Sequence, residues 1–337
     1  MGKKILQNLF NYALKEGAAG LTMESAASSL VLNYRFPDGN ERLFSLPQKV
    51  EKNLLLALHE LLTLTPGELT TKKYCKITNK KQSLSFYLTI LPNKNGEKII
   101  INIINRPLKN WRLNQLGLQT ADLKILKGAL KKRSGLILVS SPAENGKSAT
   151  LTALLSELNP VDRNIYVFGS GAANPLPGVN YLKPTLTNFT NVLRHDSDVL
   201  VVDDIANAEI FKNIIRAATT GRLVIATLSA DSSLEAFKKI INLPLPLRLK
   251  LEGWQLFLNQ RLVKLKRSKT VRSKGARPEI GIFEILELSP KLKKSLTDTN
   301  EWDKKFWLKF SNLALREGFK PLETDLKQKI KDGLAAA

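Results

Sequence analysis

The stretch from Gly135 to Ala149 constrains this chain more than any other. Leu136, Ile137, Leu138 and Val139 form a short apolar run, the pattern of a strand buried on both faces. Ser141, Pro142, Ala143 and Glu144 break that run, and Asn145-Gly146-Lys147-Ser148 leads into residues with helical character. Strand, tight loop and helix together make a frame for phosphate: a glycine lets backbone N–H groups face the anion, a lysine reaches the β- and γ-phosphates, and a hydroxyl meets Mg²⁺. Gly146, Lys147 and Ser148 occupy those places. The first glycine of the G-x-x-x-x-G-K-[ST] pattern is Ser141.

Further apolar runs at 164–168, 199–203 and 223–228 alternate with helical stretches at 148–158 and 209–219. Such alternation predicts a parallel sheet covered by helices, with the phosphate loop after its first strand. The residues before it read differently. Ile5, Leu9, Phe10, Ala13 and Leu14 mark a helix over 3–18 that ends at Gly17. A strand at 30–36 turns through Pro37, Asp38 and Gly39 into a second strand. A helix follows over 47–64, with Val50, Leu54, Leu58 and Leu61 on one face, then strands at 84–91 and 98–104. The organisation expected is a small α/β domain over 1–106, a linker over 107–117 and a second domain over 118–337, mainly helical from about residue 244. Trp111 reads as a packing anchor.

A length of 337 residues suits two domains, and 43% hydrophobic content suffices for their cores. The single cysteine, Cys75, excludes an intrachain disulfide framework and a cysteine-built zinc site. No signal core follows Met1, no apolar run is long enough to span a bilayer, and nothing beyond Met1-Gly2 suggests myristoylation. The formal net charge of +22 attracts polyanions. Because lysines are spread along the chain, it reads first as a solvated surface, then as a membrane or partner contact, and last as a nucleic-acid surface; only 264–274 is densely basic. His59 and His195 read as structural residues, Tyr87 and Tyr181 as packing residues.

Further landmarks carry a resemblance. Gly96-Glu97-Lys98 leaves a hairpin, and Leu113 to Leu118 precede the second domain. The segment from Leu193 to Ile205 ends in an acidic pair after an apolar run. Arg216 to Gly221, Gln260 to Val263, Gly281 to Leu286 and Ala314 to Gly318 follow in order. With the phosphate loop they make the chain resemble the type II secretion and type IV pilus assembly ATPases, a family of hexameric motors. The resemblance implies a RecA-like P-loop domain, an N-terminal domain of the family's second type, and helices at Arg216 and Gln260. It also implies ATP at Ser141, Pro142, Ala143, Glu144, Asn145, Gly146, Lys147, Ser148 and Ala149. Mg²⁺ is expected at Ser148, Asp203 and Asp204, with Asp204 as the remaining catalytic acid and no zinc.

Several family positions are altered. The family loop Gly-Pro-Thr-Gly-Ser-Gly-Lys-Thr-Thr is Ser141 to Ala149 here, with Glu144 in place of a glycine. Like charges about 4 Å apart repel by about 4 kcal/mol at an effective dielectric near 20, and Ser141 and Glu144 give up glycine's backbone freedom. The family's glutamate is Asp204, one methylene shorter, and a displacement of about 1 Å can cost on the order of 10²-fold. An arginine two positions on is Ala206, and the acidic box is replaced by 169–173. The histidine of the next segment is Ser229, a second is Arg222, and two arginines of the first domain are Tyr87 and Asn102, while Arg35 is kept. Arginine fingers in phosphoryl transfer are worth about 10³–10⁵ in rate. A zinc-binding tetracysteine segment is replaced by basic residues around Lys269.

The expectation is a weakly binding or inactive pseudo-ATPase subunit of a pilus or secretion motor. It would act in a homo- or hetero-oligomeric ring, alone or with an active paralogue, beside a platform protein of the inner membrane and on its cytoplasmic face. The alternatives are a working ATP hydrolase using Asp204, and a basic module binding nucleic acid or anionic membrane through 264–274.

Overall fold

The computed structural model describes residues 2–36, 39–61, 70–79, 82–103, 111–169, 175–205, 207–266, 279–299 and 301–336. Pro37, the first part of the expected linker, residues 170–173 of the altered acidic box, Ala206 and the basic residues from 267 to 274 lie outside them. The described chain forms two compact units, one holding the residues up to Ile103 and the other those from Trp111 onward.

The first unit opens with helix α1 (Gly2–Glu16), which stops where Gly17 takes a left-handed φ of 74°. Strands β1 (Gly20–Ser25), β2 (Ser29–Arg35) and β3 (Glu41–Pro47) lead into helix α2 (Gln48–Leu61), followed by β4 (Thr70–Asn79), β5 (Gln82–Asn93) and β6 (Gly96–Ile103). They form one antiparallel sheet in the order β3-β2-β1-β6-β5-β4. Leu6, Phe10 and Ala13 of α1 and Leu54 and Leu58 of α2 share one core with alternate residues of the sheet, among them Leu21, Met23, Leu30 and Leu32. The strands β1 and β4 add to those expected.

The second unit begins inside the expected linker. Leu113 and Leu116 are buried in its core with Leu118, so residues 111–117 are part of the fold. Helix α3 (Thr120–Lys131), strand β7 (Gly135–Ser141), helix α4 (Lys147–Ser156), strands β8 (Ile165–Phe168) and β9 (Val179–Leu182), helix α5 (Leu186–Arg194), strand β10 (Val199–Val202), helix α6 (Ala208–Thr219), strand β11 (Leu223–Ser229) and helix α7 (Ser233–Ile241) alternate as predicted. After a short helix α8 (Leu247–Leu251) come β12 (Trp254–Lys264), β13 (Glu279–Leu286) and helices α9 (Pro290–Thr297), α10 (Lys304–Arg316) and α11 (Leu322–Lys331). The sheet runs β13-β12-β7-β11-β10-β8-β9, parallel throughout except for β13.

Beyond residue 244 helices α8 to α11 are joined by two strands, β12 and β13, and Gln260 to Val263, expected on a helix, lie on a strand. The cause is tertiary: β12 hydrogen-bonds along β7 and gives it a neighbour, so both faces of β7 and both of its edges are covered. Period-two alternation then sorts the sheet. Leu136, Leu138, Leu200 and Val224 face a layer containing Phe211, Ile214 and Phe237. Ile137, Val139, Val201 and Ile225 face Leu126 and Leu154 on the other side.

A buried polar cluster fastens the C-terminal helix to this core. Asp325 and Lys329 are 4% and 3% exposed. Lys329 Nζ donates to Asp325 Oδ2 at 2.6 Å and to Gly281 O at 2.7 Å, while Asp325 accepts the Phe283 N–H and Gln119 Nε2. Burial pulls Lys329 below its ordinary value, and Asp325 opposes that shift. Asp325→Ala leaves a buried cation unpaired, which costs about 3–5 kcal/mol. Denaturant titration is expected to show that loss, with the double change Asp325→Leu and Lys329→Met losing much less; a single-variant loss no larger than the double variant's would contradict the account.

Candidate functional site

The carboxyl ends of the parallel strands β7, β8, β10 and β11 gather the candidate residues on one edge of the second unit, as open α/β sheets gather their ligands. Ser141 ends β7 and pairs with Ser229 at the end of β11. It is extended backbone within the sheet, so the freedom expected to be lost there is not needed. Glu144 does take the left-handed conformation that glycine favours, at φ 61°, and Gly146 follows at φ 85° as the residue before α4. A left-handed glutamate costs on the order of 1 kcal/mol; the loop keeps its shape despite the substitution. At Gly146 any Cβ would lie 3.0 Å from Gln260 Nε2.

No side chain caps the start of α4. The positive end of its dipole lies at the loop, an arrangement suited to an anion. Lys147 Nζ curls over the loop, donating to Ser141 O at 2.9 Å, Pro142 O at 3.3 Å and Ser229 Oγ at 3.3 Å. The loop is braced from β12. Gln260 Nε2 donates to Asn145 O at 2.6 Å, the Leu262 N–H donates to Asn145 Oδ1 at 3.0 Å, and Asn145 Nδ2 closes on Ala143 O at 2.9 Å. Gln260 is itself held by the Thr150 hydroxyl of α4. One strand thus fixes both the loop and the helix behind it. The sequence reading missed this brace; the polar pair Asn259-Gln260 inside an apolar run was its one visible signal.

The acidic pair follows β10. The Asp203 N–H donates to Phe168 O at 2.8 Å, the Thr227 hydroxyl lies 3.5 Å from Asp203 Oδ1, and a Cβ at Gly169 would come within 2.9 Å of Asp203 Cβ. Asp204 is left-handed at φ 94° and exposed. Glu144, Ser148 and Asp204 are all exposed, and no side-chain hydrogen bond or ion pair joins them to another described residue. Among the described residues no three His, Cys, Asp or Glu side chains gather to hold a metal ion. Were Mg²⁺ held by Ser148, Asp203 and Asp204, phosphate oxygens and water would have to complete its shell, which is how that ion is commonly held.

Other altered positions have taken structural work. Arg222 donates to Ser197 Oγ, Thr220 O and Leu193 O, tying the ends of α5 and α6 to the start of β11. His195 is exposed at the end of α5. In the first unit Arg35, Gly20, Asn102 and Tyr87 stand in one row across the sheet. Arg35 Nη2 donates to Asn102 Oδ1 at 3.0 Å.

A family model described as "Type II/IV secretion system protein" matches residues 2–305. The chain belongs to that family. It is 27% identical over 271 residues to the type II secretion system protein E of Aeromonas hydrophila, covering 77% of this chain and 54% of that protein. It is 24% identical over 298 residues to the type IV pilus assembly ATPase PilB of Pseudomonas aeruginosa, covering 77% and 52%. The chain spans about half the length of the curated relatives it matches. In structure it is similar to the Legionella pneumophila ATPase DotB, with a TM-score of 0.69 at 15% identity over 100% of this chain and 94% of that one. The pilus retraction motor PilT, solved with bound ADP, gives 0.67 at 18% identity over 98% and 94%. These likenesses establish the fold: the second unit of this secretion-family chain is a RecA-like core.

Within that core the brace is the element most open to a direct check. Asn145→Ala removes the acceptor of the Leu262 N–H and the contact to Ala143 O, for about 1–2 kcal/mol. A lower urea midpoint of that order is expected, with hydrogen exchange quickened at the start of α4. An unchanged midpoint and unchanged exchange would show that the Leu262 contact to the Asn145 side chain does not hold the loop.

Proposed function

We propose that this chain is a nucleotide-binding subunit of a secretion or pilus-assembly machine whose own ATP hydrolysis is slow or absent. The observation that carries the reading is the backbone of the loop: Gly146 left-handed, α4 uncapped, and Lys147 drawn over the loop carbonyls. The N–H groups of Lys147, Ser148 and Ala149 and the Lys147 ammonium would hold the phosphates, with Ser141 to Asn145 forming the wall of the site. Ser148, Asp203 and Asp204 would share Mg²⁺ with the phosphate and water.

Charge around the loop argues for weak chemistry. Glu144 adds a carboxylate, and because it is exposed its repulsion of a phosphate about 4 Å away falls from about 4 kcal/mol toward the 1 kcal/mol of bulk water. That weakens binding without forbidding it. Hydrolysis asks for more, namely groups aimed at the charge that develops in the transition state. Ser229 and Asp204 supply a hydroxyl and a short acid there, and the one arginine in the row across the first unit is engaged by Asn102. The family's other proteins are named for secretion and pilus assembly, and this supports a place in such a machine. The subunit would join a homo- or hetero-oligomeric ring, an active paralogue supplying turnover, against a platform protein on the cytoplasmic face of the inner membrane. Among the described residues no helix is long and apolar enough to cross a membrane.

Fluorescent-nucleotide titration with parallel phosphate-release assays tests the reading. The full chain is expected to bind ATP with Mg²⁺, Lys147→Ala to lose at least about tenfold in affinity, and phosphate release to stay near the blank. Equal binding by Lys147→Ala would remove the phosphate loop from the account. Brisk release that disappears in Asp204→Asn would make the chain a working hydrolase.

A further inference from the structure

Beyond Lys147, a second lysine reaches the same strand end. Lys239 lies in the last turn of α7, yet its side chain runs back along the helix, and Nζ donates to Ser229 O at 2.8 Å. Ser229 is the residue whose hydroxyl lies 3.3 Å from Lys147 Nζ. The two ammonium groups thus meet one serine, Lys147 at its side chain and Lys239 at its carbonyl. Lys147 comes from the loop and α4; Lys239 comes from α7, on the far side of β11. We propose that Lys239 is a second cation of the phosphate site, meeting the terminal phosphate of a nucleoside triphosphate from the Ser229 side and favouring triphosphate over diphosphate. This inference rests on the phosphate-loop reading of Ser141 to Ala149.

The surroundings of Lys239 suit that task. Its side chain is 48% exposed and pairs with Glu235 Oε1 at 2.8 Å, one helical turn away. An exposed pair of this kind contributes little and is easily exchanged, so the ammonium can leave Glu235 for a stronger anion. Glu235 does not depend on Lys239 alone, because its other oxygen accepts the Asp231 N–H at 2.7 Å. The hydrogen bond from Lys239 is the main reason the Glu235 carboxyl lies below its ordinary value. The start of α7 is fixed independently, by the Ser232 hydroxyl accepting the Glu235 N–H at 3.1 Å. The helix therefore keeps its place while the lysine changes partner.

Position gives the selectivity. An anion seated at the start of α4 is within the reach of Lys147, whose contacts include Ser229 Oγ. Lys239 touches the same serine from the opposite side, so a phosphate chain must extend past Lys147 to meet it. A diphosphate satisfies the loop and Lys147; one more phosphate brings charge toward Lys239. The added positive group also counters the carboxylate that Glu144 brings to the loop.

Isothermal titration of the full chain with Mg²⁺ and either ADP or a slowly hydrolysed ATP analogue tests this. Lys239→Gln is expected to weaken the triphosphate by about tenfold and to leave ADP nearly unchanged, with Lys239→Arg retaining triphosphate affinity. Unchanged binding of both nucleotides in Lys239→Gln would overturn the proposal. So would an equal loss of both, since that would make Lys239 a support for the loop. If the unmodified chain binds neither nucleotide, the phosphate-loop reading fails and Lys239 falls with it. If ADP and the triphosphate both bind and both ignore Lys239, only the selectivity proposal fails.

Discussion

Two hydrogen bonds from β12 decide what the edge of this sheet can do: Gln260 Nε2 onto Asn145 O, and the Leu262 N–H onto Asn145 Oδ1. A loop that turns through left-handed backbone beside an uncapped helix is costly to hold open. Here the neighbouring strand holds it, and the Thr150 hydroxyl passes the same strand's grip to α4. The turn at Gly146 and the position of Lys147 follow. A fold that fixes a loop through backbone and amide contacts can lose charged residues around that loop while the loop keeps its shape.

That separation of shape from charge explains the pattern of altered residues. Glu144 keeps a glycine-like φ and adds a carboxylate. Ser141 stays in the sheet and needs no glycine. Arg222 ties two helix ends to a strand, and Asn102 accepts a hydrogen bond from the kept Arg35. Each change is tolerable to the fold, because none touches the apolar layers on either face of β7, β10 and β11. Each bears on chemistry, because transition-state stabilisation depends on charge aimed at one point.

The sequence disclosed this site where its signal was contiguous. Leu136 to Ser148 carry strand, loop and helix within a few residues, and the apolar runs of β10 and β11 are uninterrupted, so the parallel core was legible. The strand β12 was not, because Asn259, Gln260 and Arg261 interrupt its apolar pattern. They are polar because Asn259 binds Ser140 and Ala230 and Gln260 binds the loop, partners that are 29 to 119 residues away in the chain. Asp325 and Lys329 have the i,i+4 spacing of an ordinary pair on a helix surface, and only packing against Gly281 and Phe283 reveals them as buried. Lys239 and Glu235 have the same spacing and remain exposed. Spacing alone cannot separate the two cases; what covers the helix does.

The claim at the centre of this account is that the backbone from Gly146 to Ala149 is a ready anion seat. Amide NMR of the isotope-labelled chain during titration with pyrophosphate measures it without reference to turnover. Saturable shifts confined to Gly146, Lys147, Ser148, Ala149 and the bracing residue Leu262 are the expected result. Amides there that stay unmoved at saturating pyrophosphate, or shifts scattered over the basic surface and abolished by modest salt, would contradict it.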